Sequence, residues 1–263
     1  MSTRIKFLGM AGYEIEAPDY HIVMDPFLTG NPVAPVPLQD LKDLDAIIVS
    51  HAAFDHMGDA PELALRTGAP VVCGGDVKEV LLERGIPEHQ IHATVWGILI
   101  QVGHVVIRPV ESHHWSQTKL KSGQYVSGVP MGFIVEPEPG VRIYHTGDTA
   151  IFGDMKLIGQ LYHPTIGLLG CNNGQALLAQ MTTAGTLLNG EMSPEEAGLA
   201  AEFLGVDIAV ASHYLDLTNE LERQDVNRFL RAVEANDSKG QRSAEYLEVG
   251  QTLVIENGDY RKE

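Results

Sequence analysis

Four groups of histidine and aspartate in this 263-residue chain have the types and spacing to hold a metal ion. His51, Asp55 and His56 fall in one short stretch, and His113 and His114 are adjacent. Asp148 closes the run His145-Thr146-Gly147-Asp148, and His213 stands just before Tyr214. Imidazole and carboxylate are the ligands of borderline and hard divalent ions such as Zn, Fe and Mn. A lone histidine after an apolar run is more often a satisfied polar residue than a ligand. Four such groups, each after an apolar run, reverse that expectation. Asp55 and His56 can serve one ion together only if the backbone turns sharply, which the nearby Gly58 permits.

The elements that must position these groups are readable as short strands. Ala46–Ser50 is a continuous apolar run, the pattern of a strand buried on both faces, and it ends at His51. Val105–Val110 precedes the His113-His114 pair, Arg142–His145 precedes Asp148, and Ile208–Ala211 precedes His213. Each group thus lies just past the C-terminal end of a strand, where side chains from separate strands converge. Ile5–Leu8, Tyr13–Ala17 and His21–Met24 read as a meander of hairpins. The prolines between Gly30 and Pro37 exclude a central strand there. Further strands are expected at Val71–Cys73, His92–Val95, Leu99–Val102, Gly132–Glu136, Ile166–Leu169, Tyr246–Leu247 and Thr252–Ile255. Helices are expected at Asp59–Arg66, Asp76–Arg84, Pro194–Leu204 and Asp225–Glu234. Strand–helix alternation, run twice, predicts two sheets packed face to face with helices outside. No repeat, linker or low-complexity segment divides the chain, so residues 1–263 are expected to form one domain.

Composition narrows the chemistry. Lys plus Arg is 18 against 35 Asp plus Glu, a net charge of −17. Nucleic acid and anionic membrane both demand basic surface, so neither is an expected partner. The two cysteines, Cys73 and Cys171, cannot build a disulfide scaffold. No stretch reads as a signal peptide or a bilayer span, and a cytoplasmic location is expected.

The segment S-H-A-A-F-D-H-M-G-D, residues 50–59, resembles the H-x-H-x-D-H motif of the metallo-β-lactamase fold. E-S-H-H-W-S, Y-H-T-G-D-T and A-S-H-Y follow in that family's order. D-P-F-x-x-G-N-P from Asp25 and M-x-P-E-x-A from Met192 make the chain similar to the ascorbate-6-phosphate-lactonase-like metal-dependent hydrolases. The resemblance covers nearly the whole chain. It implies an α/β fold, an αββα sandwich of two mixed β-sheets with helices on the outer faces and metal at one edge.

The resemblance also implies the ligand set. One metal would be held by His51 and His114 together with a second motif histidine, and the other by Asp55, His56 and His213, with Asp148 bridging. The chain departs from this pattern at Ala53, where the motif has its second histidine. Three readings stay open. The enzyme uses one ion at Asp55, His56, Asp148 and His213, or His113 completes the first site, or the first ion binds weakly with water in the gap. The first is favoured, with Zn or Mn as the ion. The resemblance also picks His114, which directly precedes Trp115, as the ligand; neighbours in an extended segment face opposite ways, so His113 would then turn to the substrate or pack.

A divalent ion lowers the pKa of a bound water and makes hydroxide available near neutral pH. Asp55 or Asp148 would orient that water and take its proton. The expected reaction is attack of this hydroxide on a lactone, cyclic amide or related ester or amide of a small molecule. A phosphodiesterase or nuclease of the same fold and a non-catalytic metal-binding member are the alternatives. His113, Cys171, Asn172 and Tyr214 are candidates for substrate contact. The segment from Thr165 to Glu191 looks longer than in relatives, and reads as a lid or an oligomer contact; a homo-oligomer is left open. Asp25 is either a turn residue or a partner that fixes the tautomer of a ligand histidine. His21, His89, His92, His104, His145 and His163 read as structural or surface residues.

Overall fold

The computed structural model describes residues 2–172 and 190–263. Among these residues the strands form two large mixed sheets and one small ribbon. The first sheet runs, edge to edge, through β17 (Asp259–Lys262), β16 (Thr252–Glu256), β1 (Ser2–Gly9), β2 (Gly12–Ala17), β3 (Tyr20–Met24), β4 (Ala46–Ile48), β5 (Val71–Cys73) and β6 (Ile91–Ala93). Pairing is antiparallel up to β3 and parallel beyond it. The second sheet runs through β15 (Ser243–Glu245), β14 (Ile208–Ser212), β13 (Ile166–Gly170), β12 (Val141–His145), β11 (Met131–Glu138), β8 (Val105–Glu111) and β7 (Ile100–Val102). The ribbon pairs β9 (Ser116–Lys119) with β10 (Tyr125–Gly128).

The period-two alternation of side chains sorts the first sheet's apolar residues between two cores. Ile22, Met24, Ala46, Ile48 and Val72 join the core between the sheets. Val23, Ile47, Val49, Val71 and Cys73 face the other way, onto α2 (Ala60–Thr67) and α3 (Gly75–Glu83). This double burial is why residues 46–49 are apolar without interruption. The second sheet packs its inner face on the same central core. Its outer face is covered by α4 (Met155–Tyr162), α5 (Pro194–Leu204) and α6 (Glu220–Asn236). The layers are helix, sheet, sheet, helix, as expected from the sequence. The short α1 (Phe54–Met57) lies in the connection after β4. No helix among the described residues is long and apolar enough to cross a membrane.

The differences from expectation have local causes. The expected strand at 246–247 is displaced to β15, whose Ser243, Ala244 and Glu245 pair with Ile208, Ala209 and Val210. The Tyr214 hydroxyl then takes both the Leu247 carbonyl at 2.6 Å and the Leu247 amide at 3.1 Å, which draws the chain out of the ladder. Helix α6 starts five residues before the expected Asp225, because the Asn219 side chain caps it by accepting from the Leu221 amide. Its first turn is polar, so apolar periodicity hides it. The β9–β10 ribbon is mostly polar and half-exposed and carries no apolar signature.

Ile48 lies fully buried between the sheets at the strand that leads to His51. Ile48→Ala is expected to cost about 3 kcal/mol through lost burial and the cavity left behind. A urea denaturation series on the purified variant would measure this.

Candidate metal centre

The second sheet delivers His114, Asp148 and His213 from the ends of β8, β12 and β14, and β4 of the first sheet leads into His51, Asp55 and His56. Backbone in the left-handed region makes the turns. Gly58 has φ +33°, and a Cβ there would overlap the Pro26 carbonyl oxygen. Gly147, one residue before Asp148, has φ +54°, and a Cβ would lie 2.8 Å from the Ser50 Cβ. His213 adopts φ +67° without being glycine. It is held there by its amide, which donates to the Met10 carbonyl at 2.8 Å, while the Met10 amide donates to Tyr214 at 2.8 Å. This bridge ties the β1–β2 turn of one sheet to the end of β14 in the other.

Six of the sequence-predicted residues meet at this edge. Asp148 Oδ1 lies 3.1 Å from His56 Nε2 and 3.4 Å from His213 Nε2. Its Oδ2 lies 3.9 Å from His51 Nε2 and 3.9 Å from His114 Nε2. Asp55 Oδ2 is 3.6 Å from His213 Nε2 and 3.9 Å from His56 Nε2. Asp148 therefore presents one oxygen to each pair of imidazoles.

The outer nitrogens show which tautomers the site favours. The Ser50 hydroxyl donates to Asp25 Oδ2 at 2.7 Å, and the Ser50 amide donates to Asp25 Oδ1 at 2.7 Å. With its proton committed, the Ser50 oxygen accepts from His51 Nδ1 at 3.0 Å. His56 Nδ1 donates to Asp25 Oδ2 at 2.8 Å. His213 Nδ1 faces the Asn172 carbonyl at 2.9 Å and the Glu191 carboxylate. Each Nδ1 is thus engaged from behind, and each Nε2 faces the centre. The Nε2 atoms of His51, His56 and His213, together with Asp148 Oδ1, are buried without a hydrogen bond among the described residues. Nitrogen and oxygen donors gathered this closely need a cation between them, a proton in the metal-free chain or a metal ion in its place. The donor set of imidazole nitrogens and carboxylate oxygens fits a divalent ion, and three triads at this edge bring their donor atoms together: His51 with His56 and Asp148, Asp55 with His56 and His213, and Asp148 with Glu191 and His213.

Electrostatics agrees. Burial alone would lower the proton affinity of His56 and His213, but the surrounding carboxylates of Asp148, Asp25, Asp55 and Glu191 outweigh it and raise both well above the usual histidine range. Burial would raise Asp148 and Asp55, yet the same histidines hold both below the usual carboxylate range. His51 is driven down to about 3 by burial and by His56, so it stays neutral. His114 is lowered by burial. Burial pushes Glu191 up to about 8 against the pull of His213, so this pair retains a proton near neutrality.

The other expectations divide. Asp25 is fully buried and bonds His56, which makes it a tautomer-fixing partner; Asp25 also adopts φ +43°. Three of the candidates for substrate contact have other partners in the structure. The His113 ring stacks on Phe152 and its Nε2 meets Glu111 at 2.8 Å. Cys171 is fully buried in the central core, its thiol kept protonated by burial. The Tyr214 hydroxyl is spent on Leu247. Asn172 is buried beside the centre and contributes its carbonyl to His213. Within the expected lid or oligomer contact from Thr165 to Glu191, residues 173–189 lie outside the described residues. His145, read as structural, lies beneath the site. Its Nε2 donates to the Ala11 carbonyl at 2.8 Å and its Nδ1 accepts from Gly147, fixing the turn before Asp148.

Ser50, Glu191 and the Asp76–Ser116 pair were not legible as site residues. The Ser116 hydroxyl donates to buried Asp76 and accepts from the Ala52 amide at 3.0 Å, which pins the loop just after His51. Ala53 is the N-terminal cap of α1. Its carbonyl accepts from the Met57 amide at 2.8 Å, and its side chain offers only a methyl group.

Residues 20–214 match the family described as Beta-lactamase superfamily domain. A "UPF0173 metal-dependent hydrolase" of Rubrobacter xylanophilus is 39% identical over 214 residues, 81% of each chain. Another of that description, from Archaeoglobus fulgidus, is 34% identical over 88% of this chain and 91% of its own. Among solved structures, Igni18, described as a novel metallo hydrolase from Ignicoccus hospitalis, superposes with a TM-score of 0.75 at 27% identity. That match covers 97% of this chain and 99% of Igni18.

Two outcomes are expected of the centre. Because His56 and His213 are raised, they carry protons at neutral pH in metal-free protein, and an incoming ion must displace them. Calorimetry in buffers of different ionisation enthalpy should therefore show proton release on metal binding at pH 7. Apparent affinity should climb with pH until the raised histidine values are passed. Asp25→Asn, which removes the acceptor that fixes the His56 tautomer, should weaken metal binding by about 10–100-fold in a chelator competition.

Proposed function

This chain belongs to the Beta-lactamase superfamily domain family as a metal-dependent hydrolase, and we propose on that footing that it opens a lactone, cyclic amide or related ester or amide of a small molecule, using one tightly held Zn or Mn ion. The observation that carries this reading is the convergence of Nε2 atoms from buried histidines on Asp148 and Asp55. Asp55, His56, Asp148 and His213 would hold the ion. His51 and His114 face the remaining oxygen of Asp148 at 3.9 Å, and Ala53 adds no ligand to them.

The ion supplies Lewis acidity, lowering the pKa of water and polarising a carbonyl oxygen. The chain's own groups do the rest. His51, neutral because of its low proton affinity, and His114 can accept hydrogen bonds through Nε2 beside Asp148. Asp148 Oδ2, facing them, is placed to take the proton of the attacking water. No nucleophilic side chain is required, and Cys171 is withheld in the core. A net charge of −17 favours a small uncharged or cationic substrate over a polyanion.

Metal analysis by mass spectrometry, coupled to turnover of a lactone and cyclic-amide panel, tests the reading. Absence of tight metal, or turnover confined to phosphodiesters, would overturn it. The single-ion assignment has its own test. Ala53→His restores a ligand beside His51 and His114, and should raise tightly bound metal from about one to about two ions per chain. Two tight ions already present in the unaltered protein would refute it.

A further inference from the structure

We propose that Glu191 is a positioning residue for the metal ligand His213, a carboxylate that holds the Nδ1 proton and makes Nε2 a stronger donor. The inference rests on the metal centre proposed above. Glu191 Oε1 contacts His213 Nδ1, on the side of the ring away from Asp55 and Asp148. A buried carboxylate is expensive unless it has a specific partner, and Glu191 is only 3% exposed.

The place is prepared for it. Gly170, at the end of β13, leaves the space that the carboxylate fills; a Cβ at that position would overlap Glu191 Oε2. The residues around Glu191 are fixed on both sides. The Gly190 backbone lies within hydrogen-bond reach of His114. The Met192 amide donates to the Thr149 carbonyl at 2.9 Å, one residue past Asp148. Beyond it, Ser193 and Glu196 form a reciprocal cap on α5, with Pro194 at its first position. Residues 190–192 thus touch the turns that carry His114, Asp148 and His213.

The Asn172 carbonyl, 2.9 Å from His213 Nδ1, would alone fix the tautomer. A carboxylate does more once it is ionised, as a cation at Nε2 would favour, because a charged acceptor strengthens the bond and raises the electron density of the ring. In a ligand set that lacks the imidazole expected at position 53, a more basic His213 offsets part of the loss.

The test measures Zn²⁺ alone, by competition against a fluorescent chelator, on the full chain. Glu191→Gln keeps the volume and one acceptor oxygen but loses the charge. It is expected to weaken Zn²⁺ binding about 10–100-fold and to hasten metal loss to EDTA by a similar factor, with metal-free melting unchanged. Unchanged Zn²⁺ affinity in a folded Glu191→Gln variant overturns the inference. Failure of the unaltered chain to bind Zn²⁺ or Mn²⁺ instead overturns the metal-centre reading beneath it. Should the variant not fold, ¹⁵N-histidine NMR of the unaltered Zn²⁺-loaded chain decides. A strongly downfield Nδ1–H on His213, with Nε2 bound to metal, supports the inference. An Nδ1 without its proton refutes it.

Discussion

Asp148 offers one oxygen to His56 and His213 and the other to His51 and His114, and this division governs the rest of the molecule. For it to occur, β4, β8, β12 and β14 must end near one plane, although they belong to two sheets. Each strand then has to turn at once, and left-handed residues accumulate there: Gly58, Gly147 and His213. Sandwich packing fixes the distance between the sheets, and the strand ends convert that distance into ligand spacing.

Behind the ligands stands a layer of groups that never face the centre. Ser50 and Asp25 bind each other and between them satisfy His51 and His56. His145 fixes the turn below Asp148. Inside the buried layer these hydrogen bonds polarise one another, and every satisfied member holds its neighbours in place. The reward is that imidazoles with identical chemistry arrive with their lone pairs already aimed. Most of the acidic excess lies elsewhere, on solvated surface, and bears on solubility rather than on the centre.

Much of this was legible in the chain. Uninterrupted apolar runs ending in histidine betrayed the strands and their exits, because double burial leaves a strong mark. His51, Asp55, His56, His114, Asp148 and His213 all sit where strand ends placed them. What stayed hidden has a physical reason. Tyr214 and Cys171 neighbour site residues in sequence, but one residue along a strand is the other face of the sheet, and both point into the core. Glu191 lies far along the chain from His213 and meets it only because β13 ends in a glycine. The ribbon β9–β10 and the start of α6 are polar, and a reading built on apolar periodicity passes over them.

The bridge between Met10 and Tyr214 bears on how the molecule comes together. It is reinforced by the Ser212 hydroxyl, which donates to the Met10 carbonyl at 3.4 Å across 202 positions of chain. A contact of that sequence separation carries a large loop-closure cost and forms after local hairpins and strand–helix units are in place. His213 takes its strained backbone from this contact, so the last ligand is seated only when the first hairpin and the late strand β14 have met. The centre is therefore a checkpoint on assembly. A chain whose halves have collapsed but not docked offers an ion His51, Asp55 and His56 without His213, and only the finished sandwich closes the set.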